Sequence, residues 1–289
     1  MGSNSGCHAL TTFIRAGGRG IDTAVQYGPR SQQAAGCAIR RAYEDGITRA
    51  DLYVTSKVVC CPVANPGRSY ACEDSFLAHG SLTRNIGGAL TASAQVRHTL
   101  LLLGTSYLDL VLIHWPCANA SDTAALYHEL EHLAREGEVR ALGLSNFDAP
   151  RLEALWRGAM NVRPIIDQVG FSVGMRRGPW GRDGATREWL KAHGMVRMAY
   201  SPLGGNTRVA VLRDRTVARI AAAMNHTMAY VALRYLAQRS IPFVTAALST
   251  AHIHDDLEAV RDAAHSLSDE HMRTLDRVDL PSDQFLHDL

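Results

Sequence analysis

Seven short apolar runs recur along this chain with amphipathic stretches between them, and that alternation restricts the fold more than any other feature. The runs are GRGIDTA (18–24), DLYVTSKV (51–58), LDLVLIHWP (108–116), VRALGLSNF (139–147), PIIDQVGFSV (164–173), GMVRMAYSPLG (194–204) and IPFVTAAL (241–248). Each is rich in Val, Ile and Leu and does not alternate cleanly with polar residues, the pattern of strands covered on both faces. The segments between them have helical spacing. SQQAAGCAIRRAYEDG offers Ser31 as a candidate N-cap and Gly46 as a stop. TAALYHELEHLAREG sets Leu126, Leu130 and Leu133 on one face and stops at Gly137. TVARIAAAMNHTMAYVALRYLAQRS is a longer helical region with a break at 225–227. Alternation of this kind implies a parallel sheet with right-handed crossovers.

Such a sheet is either open and doubly wound or closed into a barrel. No Gly-rich nucleotide turn follows the first strand, so the barrel is favoured. Polar residues also gather at the C-terminal ends of the strands: Asp22, Lys57, His114, Ser145, Asn146, Gln168, Tyr200 and Ser201. On a barrel these ends converge on one mouth. The expectation is one α/β domain over residues 1–289, a (β/α)8 TIM-type barrel lacking its first strand. Only six residues precede the helical stretch at 7–18, too few for a strand and its loop. A long insert at 59–87 follows the Lys57 strand and is expected over the mouth.

Composition narrows the partners. The net charge is +2 with scattered basic residues, which disfavours nucleic acid. No apolar stretch approaches the ~18 residues of a membrane span, and MGSNSGCHAL is not a signal peptide. A cytoplasmic, monomeric protein with no membrane partner is expected. Its six cysteines are then expected as reduced thiols. Cys60, Cys61 and Cys72 cluster in one segment with His79 but fit no usual zinc spacing, so no metal site is expected.

GGRGIDTAVQYG, LYVTSKV, LDLVLIHWP, GLSNF, DQV and AYSPLG, in that order, resemble successive segments of the aldo-keto reductase family, over residues 8–280. The resemblance implies a catalytic tetrad of Asp22, Tyr27, Lys57 and His114 and NAD(P)H-dependent reduction of an aldehyde or ketone, a small-molecule substrate. The chemistry has its own logic. Carbonyl reduction needs a proton on oxygen, and a phenol with a pKa of ~10 is a poor acid near neutrality. A neighbouring ammonium stabilises the phenolate. A carboxylate holds that ammonium charged, and an imidazole N–H can orient the carbonyl oxygen. Tyr27 is then the proton donor, Lys57 its tuner, Asp22 the anchor and His114 the orienter.

The resemblance also implies a cofactor bed. Ser145, Asn146 and Gln168 suit a nicotinamide carboxamide, Tyr200 a ring stack, and Ser201 and Leu203 the pyrophosphate. His252 and Asp256, near the start of a late helix, would meet the adenosine end, where a helix N-terminus suits phosphate. The family implies NADP. NAD is the alternative, because His252 stands where an arginine often grips the 2′-phosphate, and it binds phosphate less well. Gly170 also replaces a common glutamate. Trp115 reads equally as core filling or as a wall of the substrate pocket, and Trp180 as a lining of the mouth. The competing reading is a non-catalytic, reductase-like nucleotide-binding or regulatory protein.

Overall fold

The first helix, α1 (Ser3–Arg15), turns an apolar stripe inward, with Cys7, Ala9 and Ile14 buried. The structure, a computed structural model, describes residues 3–60, 91–158, 160–175, 183–205, 209–262 and 264–280. The expected insert beyond Cys60, Trp180 and the 281–289 tail lie outside the described residues. The chain divides into two compact units, residues 1–166 and 167–289.

In the first unit α1 is followed by β1 (Gly20–Asp22), a short 3-10 turn (Val25–Tyr27) and α2 (Pro29–Glu44). Then come β2 (Tyr53–Val58), α3 (Ala92–Leu103), β3 (Leu108–Ile113), α4 (Ala120–Arg135), β4 (Val139–Ser145) and α5 (Ala149–Trp156). Among the described residues no strand precedes β1, in line with the expected missing strand. The strands pair in parallel: Asp22 lies opposite Thr55, Lys57 opposite Leu112, and Ile113 opposite Leu144. Every residue of β3 is buried, as its unbroken apolar run requires. Its one charge, Asp109, pairs with Arg49 at 2.7 Å and accepts the Val54 N–H at 2.9 Å. α2 begins at Pro29 behind Gly28, not at Ser31, because proline's fixed φ suits the first helical position. Gly36 lets α2 approach α3: a Cβ there would lie 2.4 Å from the Leu102 carbonyl oxygen.

Two disulfides replace four of the six expected reduced thiols; Cys61 and Cys72 lie outside the described residues. Cys7–Cys37 joins α1 to α2, and Cys60–Cys117 joins the chain beyond β2 to the chain beyond β3. The Cα separations, 5.7 and 5.5 Å, are those of bridged cysteines, and packing produces them between residues 30 and 57 positions apart.

The second unit contains β5 (Ile166–Gly170, from its second residue), α6 (Gly184–Ala192) and β6 (Val196–Tyr200). It continues with α7 (Arg215–Met224), α8 (Met228–Gln238), β7 (Phe243–Val244), α9 (Thr250–Arg261) and α10 (Asp269–Asp276). The long helical region breaks where expected. Asn225 ends α7 at φ 55°, and the Thr227 hydroxyl caps α8 by accepting the Tyr230 N–H at 2.9 Å. Val217, Ile220, Tyr230, Leu233 and Leu236 bury together as its core.

By hydrogen bonding the strands run β1 to β7 in chain order, with no reversal. A doubly wound sheet would show a reversal at its switch point. Among the described residues no helix is long and apolar enough to cross a membrane.

Candidate active site

The ends of β1, β2 and β3 set the site: Asp22 closes β1 opposite Thr55, and Lys57 lies two residues further along β2, opposite Leu112. Lys57, the penultimate residue of β2, is fully buried. A buried ammonium needs acceptors for its N–H groups. Its Nζ donates to Asp22 Oδ1 at the end of β1, to the Thr23 carbonyl at 3.1 Å and to the Tyr27 hydroxyl at 3.4 Å. Burial opposes the lysine's charge, but the Asp22 carboxylate and the Tyr27 oxygen outweigh it, so its pKa is raised.

Tyr27 sits on the 3-10 turn after β1 and is 50% exposed, so a substrate can reach its hydroxyl. His114 follows β3 directly, and its N–H donates to the Val58 carbonyl at 2.9 Å. The two rings meet edge to face, centroids 5.8 Å apart. Burial, and then the Lys57 charge, push the imidazole down to about 3, so it is neutral at physiological pH. Its Nδ1 has no hydrogen-bond partner among the described residues. The four predicted tetrad residues therefore gather within the first unit, Lys57 touching Asp22 and Tyr27, and Tyr27 meeting His114.

Trp115 is partly buried and stacks near His114, centroids 6.3 Å apart. Beyond it a cleft of about 400 Å³ is lined by Pro116, Cys117, Asn119, Tyr127, Phe147 and Arg151, among others. Ser145 and Asn146 are buried at the end of β4. Asn146 adopts φ 66°, and its amide nitrogen donates to the His114 carbonyl and to Ser145 Oγ, both at 3.0 Å.

The second unit holds the rest of the predicted bed. Gln168 is buried on β5, and its amide nitrogen donates to the Met198 sulfur at 3.2 Å. Tyr200 ends β6, and its carbonyl accepts the Phe171 N–H at 3.2 Å. Ser201 follows at φ 51°, and Leu203 packs against that unit's core. The turn depends on Gly204, at φ 96°, where a Cβ would lie 1.9 Å from the Val209 carbonyl oxygen. Ser249 caps α9 by accepting the N–H of His252, which is exposed. The Asp256 carboxyl is pushed up to about 6 by burial and by Asp255.

Sequence reasoning passed over Gln95. It is buried on α3 and grips both backbone groups of Val59, accepting its N–H and donating to its carbonyl, each at 2.9 Å. The signal was present: Ala92, Gln95, Val96, Thr99 and Leu103 form one helical stripe, and a glutamine within it requires partners. The Thr23 carbonyl was also missed. His226, Asp262 and His265 form a candidate ligand group, their ligand atoms within 4.8 Å of one another. Asp262 there already accepts from Ala264 N, His265 N, His265 Nδ1 and Tyr230 OH, which accounts for the cluster as a tie between helix ends.

The chain is similar to known proteins along most of its length. The family model described as "Aldo/keto reductase family" matches residues 4–280. A 9,11-endoperoxide prostaglandin H2 reductase of Trypanosoma cruzi is 30% identical, over 94% of this chain and 81% of its own. A glyoxal reductase of Bacillus subtilis is 28% identical, over 95% and 84%. An aldo/keto reductase structure from Brucella melitensis superposes with a TM-score of 0.75 at 24% identity, covering 96% of this chain and 90% of that one. That likeness establishes the fold, the (β/α)8 barrel of these reductases, of which the described residues supply seven strands.

Proposed function

The chain belongs to the aldo/keto reductase family of NAD(P)H-dependent oxidoreductases acting on carbonyls, and from that premise we propose how its own residues work. It reduces an aldehyde or ketone to an alcohol as a cytoplasmic monomer, and with the family match spanning residues 4–280 its whole length is read as one reductase domain.

The residues present fit a nicotinamide dinucleotide. Gln168 gives its N–H to a thioether sulfur, a weak acceptor that a carboxamide oxygen would displace. The capped start of α9 suits a phosphate. NADP is the proposed cofactor, with NAD as the alternative, since Asp255 and Asp256 lie near His252 and bring negative charge toward any 2′-phosphate. The chemistry a bound dinucleotide supplies is hydride donation to the carbonyl carbon.

Tyr27 gives the proton to the carbonyl oxygen, and its exposure leaves the hydroxyl accessible. Lys57 stabilises the phenolate that remains. Asp22 and the Thr23 carbonyl hold Lys57 against that oxygen. His114, neutral, offers one N–H to align the carbonyl. Trp115 forms a wall for an apolar or aromatic substrate. The observation that carries this reading is the buried Lys57 ammonium shared between Asp22 and Tyr27.

The test is NADPH and NADH oxidation with glyoxal and with an aromatic aldehyde, for the parent and for Tyr27→Phe. Turnover should fall about 10²–10⁴-fold in the variant, the usual contribution of a positioned acid. Equal turnover in both proteins would refute the role of Tyr27. Cofactor binding with no turnover by the parent would favour the non-catalytic reading.

A further inference from the structure

Cys60 stands three residues beyond Lys57, and Cys117 three residues beyond His114. Their Cα atoms are 5.5 Å apart and the sulfurs are bonded. Up to these cysteines the backbone is held by other means. Val58 pairs with Ile113, and the His114 N–H donates to the Val58 carbonyl. Val59 is gripped on both sides by Gln95. Lys57 and His114 therefore keep their places without the bridge.

The bridge acts one step further out. Cys117 lines the cleft beside Pro116, Asn119 and Phe147, and its N–H donates to Thr123 Oγ1 at 3.1 Å. Trp115, the proposed substrate wall, lies between His114 and this cysteine. Cys60 is partly exposed while Cys117 is 8% exposed, so Cys60 offers the sulfur that a small thiol can reach. Cys7–Cys37 joins α1 to α2, neither of which carries a tetrad residue, and serves as an internal control.

We propose that Cys60 and Cys117 form a reversible thiol–disulfide site that sets how firmly the Trp115 loop closes the substrate side of the active site. In the bridged state the loop is fixed. In the reduced state it is loose, and the substrate KM rises while kcat is kept. Oxidation removes two electrons and two protons from the two thiols. A small-molecule disulfide such as oxidised glutathione accepts them through a mixed disulfide and leaves as two thiols, and a dithiol runs the exchange backward. The effect on KM rests on the reductase reading above. The bridge's hold on the loop does not.

The experiment uses the full chain, its Cys60→Ser variant and a Cys7→Ser/Cys37→Ser control. Each is equilibrated with oxidised glutathione or with dithiothreitol. The measurements are kcat and KM for an aromatic aldehyde, alkylation mass spectrometry of each cysteine, and hydrogen exchange over residues 113–120. Reduction should raise KM about 5-fold or more, the lower end of ordinary coupling between two sites. It should also speed exchange over 113–120. The Cys60→Ser variant should behave as reduced under both conditions, and the control should respond like the parent. Free Cys60 and Cys117 in the oxidised sample, or KM and exchange indifferent to reduction, would overturn the proposal. A fall in kcat at constant KM would overturn it too, since the bridge would then hold the tetrad. If no state turns over aldehyde, the reductase reading fails, and alkylation and exchange decide the bridge alone.

Discussion

Replacing Asp22 by Asn removes one charge and keeps the shape around it. The Lys57 side chain is 1% exposed and that of Asp22 13%. The lysine has three oxygen partners, Asp22 Oδ1, the Thr23 carbonyl and the Tyr27 hydroxyl. An asparagine oxygen can still accept, so Asp22→Asn removes the counter-charge alone. Breaking a buried pair from one side costs about 3–5 kcal/mol. The surviving acceptors put this case at the low end, about 3 kcal/mol. A typical domain holds about 5–15 kcal/mol, so the variant folds with a reduced margin.

The pH dependence gives the stricter check. In the parent the folded Lys57 pKa is raised above its ordinary 10.5. Its contribution to stability is fully present below 10.5 and is lost only as pH rises through the folded value. The lysine therefore adds no slope between about pH 7 and 9. In the variant desolvation acts with no carboxylate to oppose it, and the folded pKa drops below the unfolded one. The unfolded chain then binds the extra proton, and stability climbs with pH by up to about 1.4 kcal/mol per unit between the two values. Urea unfolding of both proteins across that range measures the difference between their profiles. A variant within about 0.5 kcal/mol of the parent, with no added slope, would refute the argument that Asp22 serves to neutralise Lys57.

Other expectations follow from the same geometry. His114, held near 3, should contribute no inflection to the kcat/KM profile between about pH 5 and 8, where an ordinary histidine titrates. An inflection there that vanishes in His114→Gln would contradict its neutrality. Gln95→Leu should lower stability by about 2–4 kcal/mol in urea unfolding, since it strands both the N–H and the carbonyl of Val59. Gly36→Ala forces a methyl against the Leu102 carbonyl and should cost about 1–3 kcal/mol by the same assay. A neutral result would mean that α2 and α3 can separate freely.

The strand ends were readable because the alternation of runs sets where each strand stops, and the polar residues stand at those stops. All seven apolar runs contain a strand, shorter than the run itself. The last shrinks most: IPFVTAAL yields only Phe243–Val244, since Pro242 has no N–H and contributes its carbonyl alone, to Ala199 N at 2.8 Å. Ser31 looked like a cap because its residue type favours caps, but Pro29 starts α2 two residues earlier. Cys60–Cys117 and Gln95–Val59 were not legible in this way. They join residues 57 and 36 positions apart, and only packed elements bring such pairs together.

The exposure of Tyr27 bears on how a chain of this kind drifts over generations. Asp22 and Lys57 form a pair that neither can leave first without a stability loss, so single changes there are purged with the fold. Tyr27 is half exposed, and replacing it takes one acceptor from the buried Lys57 ammonium while Asp22 and the Thr23 carbonyl remain, so its loss costs less than breaking the Asp22 pair. A lineage released from selection for turnover would therefore lose its phenol early and keep its lysine and aspartate long after.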